Sequence, residues 1–231
     1  MNKKWLCLTL ALLLFPTIAA GGEYADLENS ISLKGGWHFL QDNKYSDYWV
    51  RDAKNLNGLW GAISYQRRWG RFMALEADLG VFSGKTDDHN IIYLYDYSFA
   101  QVNSIFLSPT VKGIIPLGDH FSIYGGLGPD LYYSEAKWRY SYPTTGFLKT
   151  KDTALTWGAH GLLGFEALVM GDPASQGWLD LPVSFFLEYK YAWVIWKKFN
   201  KKALRSLGLT SSPDDLNIGG HFPTVGLRWH F

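Results

Sequence analysis

Apolar and polar residues alternate along much of this chain, and that alternation restricts the possible folds more than any other feature of the sequence. In the C-terminal segment TVGLRWHF, Val225, Leu227, Trp229 and Phe231 fall on one face, and small or charged residues fall on the other. Successive side chains of a β-strand point to opposite faces, whereas a helical face repeats every 3.6 residues. The segment therefore predicts a strand with one apolar face and one polar face.

The same alternation predicts further strands throughout the chain. In SISLKGGWHFL, Leu33 and Trp37 share one face while Lys34 and His38 share the other. The predicted strands are residues 30–40, 56–69, 72–84, 101–116, 120–135, 152–169, 183–198 and 224–231. A tilted strand crosses a membrane with roughly 9 to 11 residues. The predicted strands reach this length, except for the last, residues 224–231, which is slightly shorter. The fold class is thus predicted to be all-β: a closed, eight-stranded, antiparallel, up-and-down transmembrane β-barrel,.

The connections between the predicted strands alternate in length. Residues 70–71 and 117–120 fit tight turns on the periplasmic side, and the polar stretches 42–55, 85–100, 136–151 and 199–217 predict long extracellular loops,. The connection 170–182 departs from this rule, because it should be periplasmic yet is long and contains two prolines. An even number of strands returns both chain termini to the same side of the membrane.

A soluble β-sandwich or lipocalin-like barrel is the alternative for a chain with many alternating strands. In those folds the apolar face points inward. Here glycines and charged residues share one face and bulky aromatics the other, and aromatic residues make up 17% of the chain. A mean hydropathy of −0.10 does not argue against a membrane barrel, since lipid-facing and interior residues average out. The pattern therefore favours the membrane barrel.

The N-terminus predicts export. MNKK is followed by the apolar run WLCLTLALLLFPTIAA, with small residues at a cleavage point near Ala19 or Ala20,. A permanent transmembrane helix is the alternative, but the apolar run before Pro16 is about a dozen residues, short of the roughly 20 that a spanning helix needs. We therefore expect a cleaved signal peptide at residues 1–20 and a barrel domain at residues 21–231. Cys7, the only cysteine, lies in the leader, so no disulfide or thiolate site is expected in the mature chain,.

Two segments resemble the small bacterial outer-membrane β-barrel proteins of the OmpX, OmpW and OmpA-barrel types. They are the terminal VGLRWHF and the stretch LSPTVKGIIPLGDHFSIYGGLGPDLYY at residues 107–133. The resemblance implies location in the cell outer membrane. It also implies that Phe231, together with Trp229 and Leu227, is the signal read by the barrel-assembly machinery. The alternative for Phe231 is an ordinary aromatic at the membrane interface, where aromatics are enriched in any case.

The polar faces of the predicted strands carry charges of both signs. An eight-stranded barrel is only wide enough for side chains to fill its interior, which favours paired charges that close the lumen over an ion pathway. Glu188 with Arg228 and Glu76 with Lys112 are the candidate pairs. The predicted network comprises Glu76, Lys112, Glu166, Glu188, Lys190 and Arg228, and Lys34, Asp78 and Asp130 share its face.

The loops offer candidate contacts outside the membrane. A basic cluster follows the seventh predicted strand and could pair with lipopolysaccharide phosphates through charge-assisted hydrogen bonds; the alternative is a solvated basic loop. Its residues are Lys197, Lys198, Lys201, Lys202 and Arg205. Asp87, Asp88 and His89 could offer metal ligands, but they match no known spacing, so neither a metal nor a cofactor is predicted,.

These observations lead to three functional hypotheses. The first is a monomeric structural or surface-interaction protein whose partners are outer-membrane lipid, lipopolysaccharide and the assembly machinery. The second is a narrow pore for small hydrophobic or ionic solutes. A lipid-modifying enzyme ranks last, because His160, His221 and His230 lie near no serine in a recognisable motif,. The net charge of +1 gives no reason to expect nucleic-acid binding.

Overall fold

The computed structural model describes residues 28–40, 57–89, 97–117, 120–142, 146–171, 181–197 and 215–231. Among them are the strands β1 (Asn29–Leu40), β2 (Gly58–Trp69), β3 (Met73–His89), β4 (Tyr97–Pro116), β5 (Phe121–Tyr142), β6 (Gly146–Met170), β7 (Val183–Lys197), β8 (Asp215–Asn217) and β9 (Gly220–His230). No helix in these ranges is long and apolar enough to cross a membrane. The predicted leader and the predicted loop at 42–55 lie outside the described residues.

The strands form one closed barrel. Each of β1 to β7 pairs antiparallel with its neighbour in sequence, β9 pairs with both β7 and β1, and β8 pairs with β7. The barrel closes at the seam between β1, the first strand, and β9, the last. At the end of this seam the backbones of Asn29 and Phe231 exchange hydrogen bonds of 3.1 and 2.9 Å. Because β8 and β9 share β7 as their partner and follow each other directly, they act as one strand. The predicted all-β, eight-stranded, antiparallel barrel is thereby confirmed.

The predicted faces of the strands are also observed. On β1, Leu33 and Trp37 are exposed on the outside, whereas Lys34 and His38 are buried inside. Exposed apolar side chains form a band around the barrel. On β4 this band runs from Ile115 to Ile105, which covers about 25 Å along the barrel axis at about 3.3 Å per residue and a tilt of about 40°. That height matches the apolar band of an outer-membrane barrel.

Four strands are longer than predicted. The segments 85–89, 97–100, 136–142 and 146–151, which we expected in loops, continue the hydrogen-bonded ladders of β3 with β4 and of β5 with β6. The prediction ended each strand where outward apolar residues stop. Beyond the lipid, however, antiparallel pairing needs only backbone partners, so the ladders continue without an apolar outer face.

The last strand also begins earlier than predicted and is interrupted. After β8, the backbone N–H of Ile218 donates to the carbonyl of Val194 at 2.9 Å. The side-chain Oδ1 of Asn217 accepts hydrogen bonds from the backbone N–H groups of Val194, at 3.1 Å, and Gly219, at 3.0 Å. The amide of one side chain therefore bridges the break. Apolar and polar residues do alternate at 215–219, but Leu216 and Ile218 are buried inside the barrel, which reverses the apolar-outward pattern from which the strands were predicted.

The turns define the two ends of the barrel. Gly70 has a φ of +66° in the tight turn between β2 and β3, a conformation that favours glycine. The N–H of Leu117 donates to the carbonyl of Phe121 at 2.8 Å where β4 leads into β5. We refer to this end, which also holds Asn29 and Phe231, as the lower end and to the opposite one as the upper end. Residues 172–180 and 198–214 of the remaining connections lie outside the described part of the chain.

Candidate functional site in the barrel interior

Lys34 is the centre of a buried ion-pair network. Its Nζ lies 2.5 Å from Glu76 Oε1, 3.0 Å from Asp78 Oδ1 and 3.2 Å from Glu188 Oε1. All four side chains are fully enclosed. The three carboxylates come from β3 and β7, which are on opposite sides of β1 in the barrel. The Lys34 side chain therefore ties together strands on both sides of the seam.

Lys112 is the second cation of this group. Its Nζ lies 2.7 Å from Glu76 Oε1 and 3.2 Å from Glu188 Oε2. The contact with Glu76 is the one proposed from the alternation pattern, while the contact with Glu188 was not foreseen. Glu76 and Glu188 are thus each shared between Lys34 and Lys112, so that no buried carboxylate of this group lacks a cation.

Arg228 forms different pairs from the one predicted. Its Nη2 lies 2.8 Å from Glu76 Oε2, and its Nη1 contacts Glu166. The predicted pair of Arg228 with Glu188 is wrong, because Arg228 is opposite Ser184 in the β7–β9 register and Glu188 is opposite Thr224. Neighbouring strands do not bring together residues four positions apart. The planar guanidinium instead reaches carboxylates on two other strands.

A second cluster lies higher in the interior. Asp130 accepts hydrogen bonds from Ser108 and, at 3.1 Å, from Lys190 Nζ, and its Oδ1 lies 3.0 Å from His160 Nδ1. Lys190 also donates to Ser108 Oγ at 2.8 Å. We expected Lys190 in the same network as Glu188 and Arg228, but in the structure its ion pair is with Asp130 in this separate cluster. His160 is buried, as its position on the polar face predicts.

Each of three interior cations stacks on an aromatic ring that covers a glycine. Lys112 Nζ is 4.3 Å from the ring centre of Tyr124, Arg228 Cζ is 4.8 Å from that of Phe186, and Lys190 Nζ is 5.2 Å from that of Phe106. The rings lie directly opposite Gly164, Gly226 and Gly80 on the adjacent strands. A Cβ at any of these glycines would come within 2.2 to 2.3 Å of the ring. The glycines thus provide the space in which the aromatic rings support the cations.

The interior above the ion pairs is filled by an aromatic cluster. His38 stacks on Phe222 with ring centres 4.3 Å apart, Trp60 meets Phe222 edge-on at 5.6 Å, and Phe106 stacks on Tyr132 at 5.2 Å. Val194, Trp196, Leu216 and Ile218 complete this buried cluster. Most of the charged groups therefore lie in the lower part of the lumen, beside a small apolar group of Ala74, Ile114, Tyr124 and Leu162, and the aromatic cluster lies in the upper part.

The interior carboxylates do not form a metal site. Ligand oxygens of Glu76, Asp78 and Glu188 lie within 4.8 Å of one another, but the Lys34 ammonium lies among them at 2.5 to 3.2 Å. A side-chain cation thus already neutralises the group.

Two hydroxyl groups lie beside histidines, which the sequence did not indicate. Thr110 Oγ1 is 2.8 Å from His160 Nε2, whose Nδ1 contacts Asp130. Ser184 Oγ is 2.9 Å from His230 Nε2. All of these side chains are buried inside the barrel, where a lipid substrate has no access. His221, in contrast, faces outward and contacts the hydroxyl group of Tyr189.

The remaining predicted site residues lie on the outside or beyond the described residues. Leu227 is exposed, and Trp229 and Phe231 are half-buried on the same outer face. Lys197 is exposed at the end of β7. Lys198, Lys201, Lys202 and Arg205 lie outside the described residues, as do the side chains of Asp87, Asp88 and His89.

The sequence matches no family model and none of the curated proteins. Among solved structures, it is similar to the outer-membrane protein OprG from Pseudomonas aeruginosa, with 12% identity, a TM-score of 0.50, and coverage of 88% of this chain and 96% of OprG. Neisserial surface protein A gives 13% identity, a TM-score of 0.48, and coverage of 90% and 100%. Ail of Yersinia pestis, solved with the heparin analogue sucrose octasulfate, gives 10% identity, a TM-score of 0.46, and coverage of 88% of this chain and 98% of Ail. At such identities the likeness concerns the fold alone, and the closed barrel with its outward apolar band has the fold of the small outer-membrane β-barrel proteins.

Proposed function

We propose that this protein is a non-conducting, non-enzymatic, monomeric outer-membrane barrel that acts through its outer surface, as a structural or surface-interaction protein. The observation that supports this function is the filled interior. Ion pairs occupy the lower lumen and the aromatic cluster occupies the upper lumen. We infer that these two layers of described residues leave solutes no continuous path, so that the surface is the part of the molecule available to partners.

The balance of interior charges favours a structural role for the ion pairs. The cations Lys34, Arg68, Lys112, Lys190 and Arg228 are matched by the carboxylates Glu76, Asp78, Asp130, Glu166 and Glu188. Buried ions need partners with good geometry to offset their desolvation. An ion pathway would need groups that exchange partners with a permeating ion, whereas here most of the cations contact two or more carboxylates.

The upper end of the barrel offers a surface for partners. The ladder between β2 and β3 ends at Gly58 and Gly84, but β3 to β6 continue upward through Tyr142 and Gly146. A four-stranded sheet thus extends beyond the upper apolar boundary, in the region that the sequence assigns to the cell exterior. We infer that this sheet, together with the basic residues from Lys197 onward, contacts lipopolysaccharide or other surface partners.

We expect the purified protein to show no discrete channel openings in planar lipid bilayers, because paired charges and packed aromatic side chains occupy the two interior layers. Conductance recordings on the mature chain, beginning near residue 21, test this outcome. Insertion is checked in parallel by the shift in gel mobility between unheated and heated protein in lipid vesicles. Discrete single-channel openings from the inserted, folded barrel would contradict the proposal and favour the narrow pore.

We further propose that Leu227, Trp229 and Phe231 form the assembly signal. Phe231→Ala is expected to slow insertion catalysed by the assembly machinery severalfold in proteoliposomes, because an outward aromatic is lost while the backbone pairing with Asn29 is retained. Val225→Ala, which removes an apolar side chain from the outer face of β9, is the matched control. Equal slowing of both variants, or slowing only of uncatalysed folding in detergent, would show that Phe231 is an ordinary lipid-facing residue.

A further inference from the structure

An apolar groove lies on the outer face of the barrel across β2 to β5. Its volume is about 490 Å³, and its walls include Leu59, Val81, Ile105 and Tyr133, all of which are more than half exposed. Gly61 adds no side chain on the outer face between these walls. A lipid-facing surface is normally covered by mobile acyl chains, and a groove of this size can hold a chain in a defined position.

The upper end of the groove changes from apolar to polar within one row of residues. Ser83, Asn103 and Glu135 line this end and lie directly opposite one another on β3, β4 and β5. Ser83 Oγ donates to Asn103 Oδ1 at 2.7 Å, and Gln101 Nε2 donates to the same oxygen at 3.0 Å. On β4 this polar row lies directly above Ile105, the upper limit of the outward apolar band, which is where lipid headgroups are expected to replace acyl chains.

A row of three lysines and one glutamine, which we call the lysine row, lies immediately above the polar row. Lys85, Gln101, Lys137 and Lys151 are opposite one another in register across β3, β4, β5 and β6, and their side chains are on the outer face. Lys137 Nζ is 2.6 Å from Glu135 Oε1, and Lys151 also contacts Glu135. Lys137 and Lys151 thus share the single carboxylate of Glu135, and together with Lys85 they leave an excess of positive charge along this row.

We propose that this face binds a phosphorylated lipid of the surrounding leaflet, with an acyl chain in the β2–β5 groove and its phosphate on the lysine row. A lipid fits better than a soluble anion, because the apolar groove and the lysine row are contiguous through the polar row. Phosphate forms strong charge-assisted hydrogen bonds with lysine ammonium groups. The inference rests on the proposed location in the membrane, and it names a lipid partner at a site separate from the basic cluster that begins at Lys197.

The test compares binding of diphosphoryl lipid A, monophosphoryl lipid A and phosphatidylethanolamine to the detergent-solubilised, folded barrel by native mass spectrometry. We expect the unmodified protein to prefer diphosphoryl lipid A. Lys137→Gln/Lys151→Gln should weaken that binding about tenfold or more, since two charge-assisted contacts are lost. Arg67→Gln/Arg71→Gln, which removes two cations at the lower end, is the matched control and should leave the preference unchanged.

A second variant tests the groove without changing its charge. Gly61→Leu should fill part of the groove and weaken lipid A binding, since a Cβ at this position meets only the Lys34 carbonyl at 3.5 Å and can be accommodated. Inorganic phosphate should not compete. Equal binding by both double variants, or displacement of lipid A by inorganic phosphate, would overturn the inference. Gel mobility separates these outcomes from failure of the proposed function, because a barrel that folds and inserts but shows no lipid preference contradicts only the lipid site.

Discussion

Replacing Arg228 by methionine is expected to lower the free energy of unfolding by about 3–5 kcal/mol, the cost typical of removing one partner from a buried ion pair. The guanidinium contacts Glu76, at 2.8 Å, and Glu166, and it lies over the Phe186 ring at 4.8 Å. Methionine retains apolar packing on that ring but leaves two buried carboxylates with fewer cations. Urea titration of the barrel in lipid vesicles, followed by tryptophan fluorescence, measures the change.

Arg67 provides the matched control for Arg228. Its Nη2 is 3.7 Å from Glu28 Oε2, and the two side chains are 44% and 63% exposed, so Arg67→Met is expected to cost at most about 1 kcal/mol. Adding Glu166→Gln to Arg228→Met should recover part of the lost stability, since it removes one of the two buried carboxylates that lose a cation contact. Similar losses for Arg228→Met and Arg67→Met would show that the interior pairs contribute no more than surface pairs.

Gly164→Ala is expected to destabilise the barrel by about 1–3 kcal/mol, as other overpacked interiors are. The new Cβ would lie 2.2 Å from Tyr124 Cζ, so the ring must rotate away. The ring's movement would also break the hydrogen bond of 3.2 Å from its hydroxyl group to Glu188 Oε2 and remove the support for Lys112. The same urea titration in vesicles detects this loss.

Gly113→Ala is the control for the glycine prediction. Gly113 is in β4 on the outer face, and a Cβ there would meet only the Gly125 carbonyl at 4.0 Å. Alanine restricts the unfolded chain more than glycine does, so this variant should be neutral or slightly stabilising. Combining Gly164→Ala with Tyr124→Leu should cost less than the sum of the two single changes, because the shorter side chain can avoid the new methyl group. Additive losses would exclude a direct clash.

Both predictions depend on which interior residues of different strands are in contact, and the sequence did not predict these contacts correctly. Alternation identified Arg228 and Glu188 as interior residues, and both are buried. It placed them together because their strands are neighbours, but the register sets Arg228 opposite Ser184. Lys34 shared the polar face in the sequence, yet only the closed barrel places it beside both Glu76 and Glu188.

The sequence by itself determined the all-β class, the faces of the strands and the presence of balanced charges inside an eight-stranded barrel. Those properties are local, since the direction of a side chain depends only on its position along its own strand. The tertiary structure decided the partners of Arg228, the placement of Gly164 beneath Tyr124, the extension of β3 to β6 and the row from Lys85 to Lys151. These features depend on register and barrel closure, which bring together residues far apart in the chain, and alternation along one strand carries no information about the offset of the next.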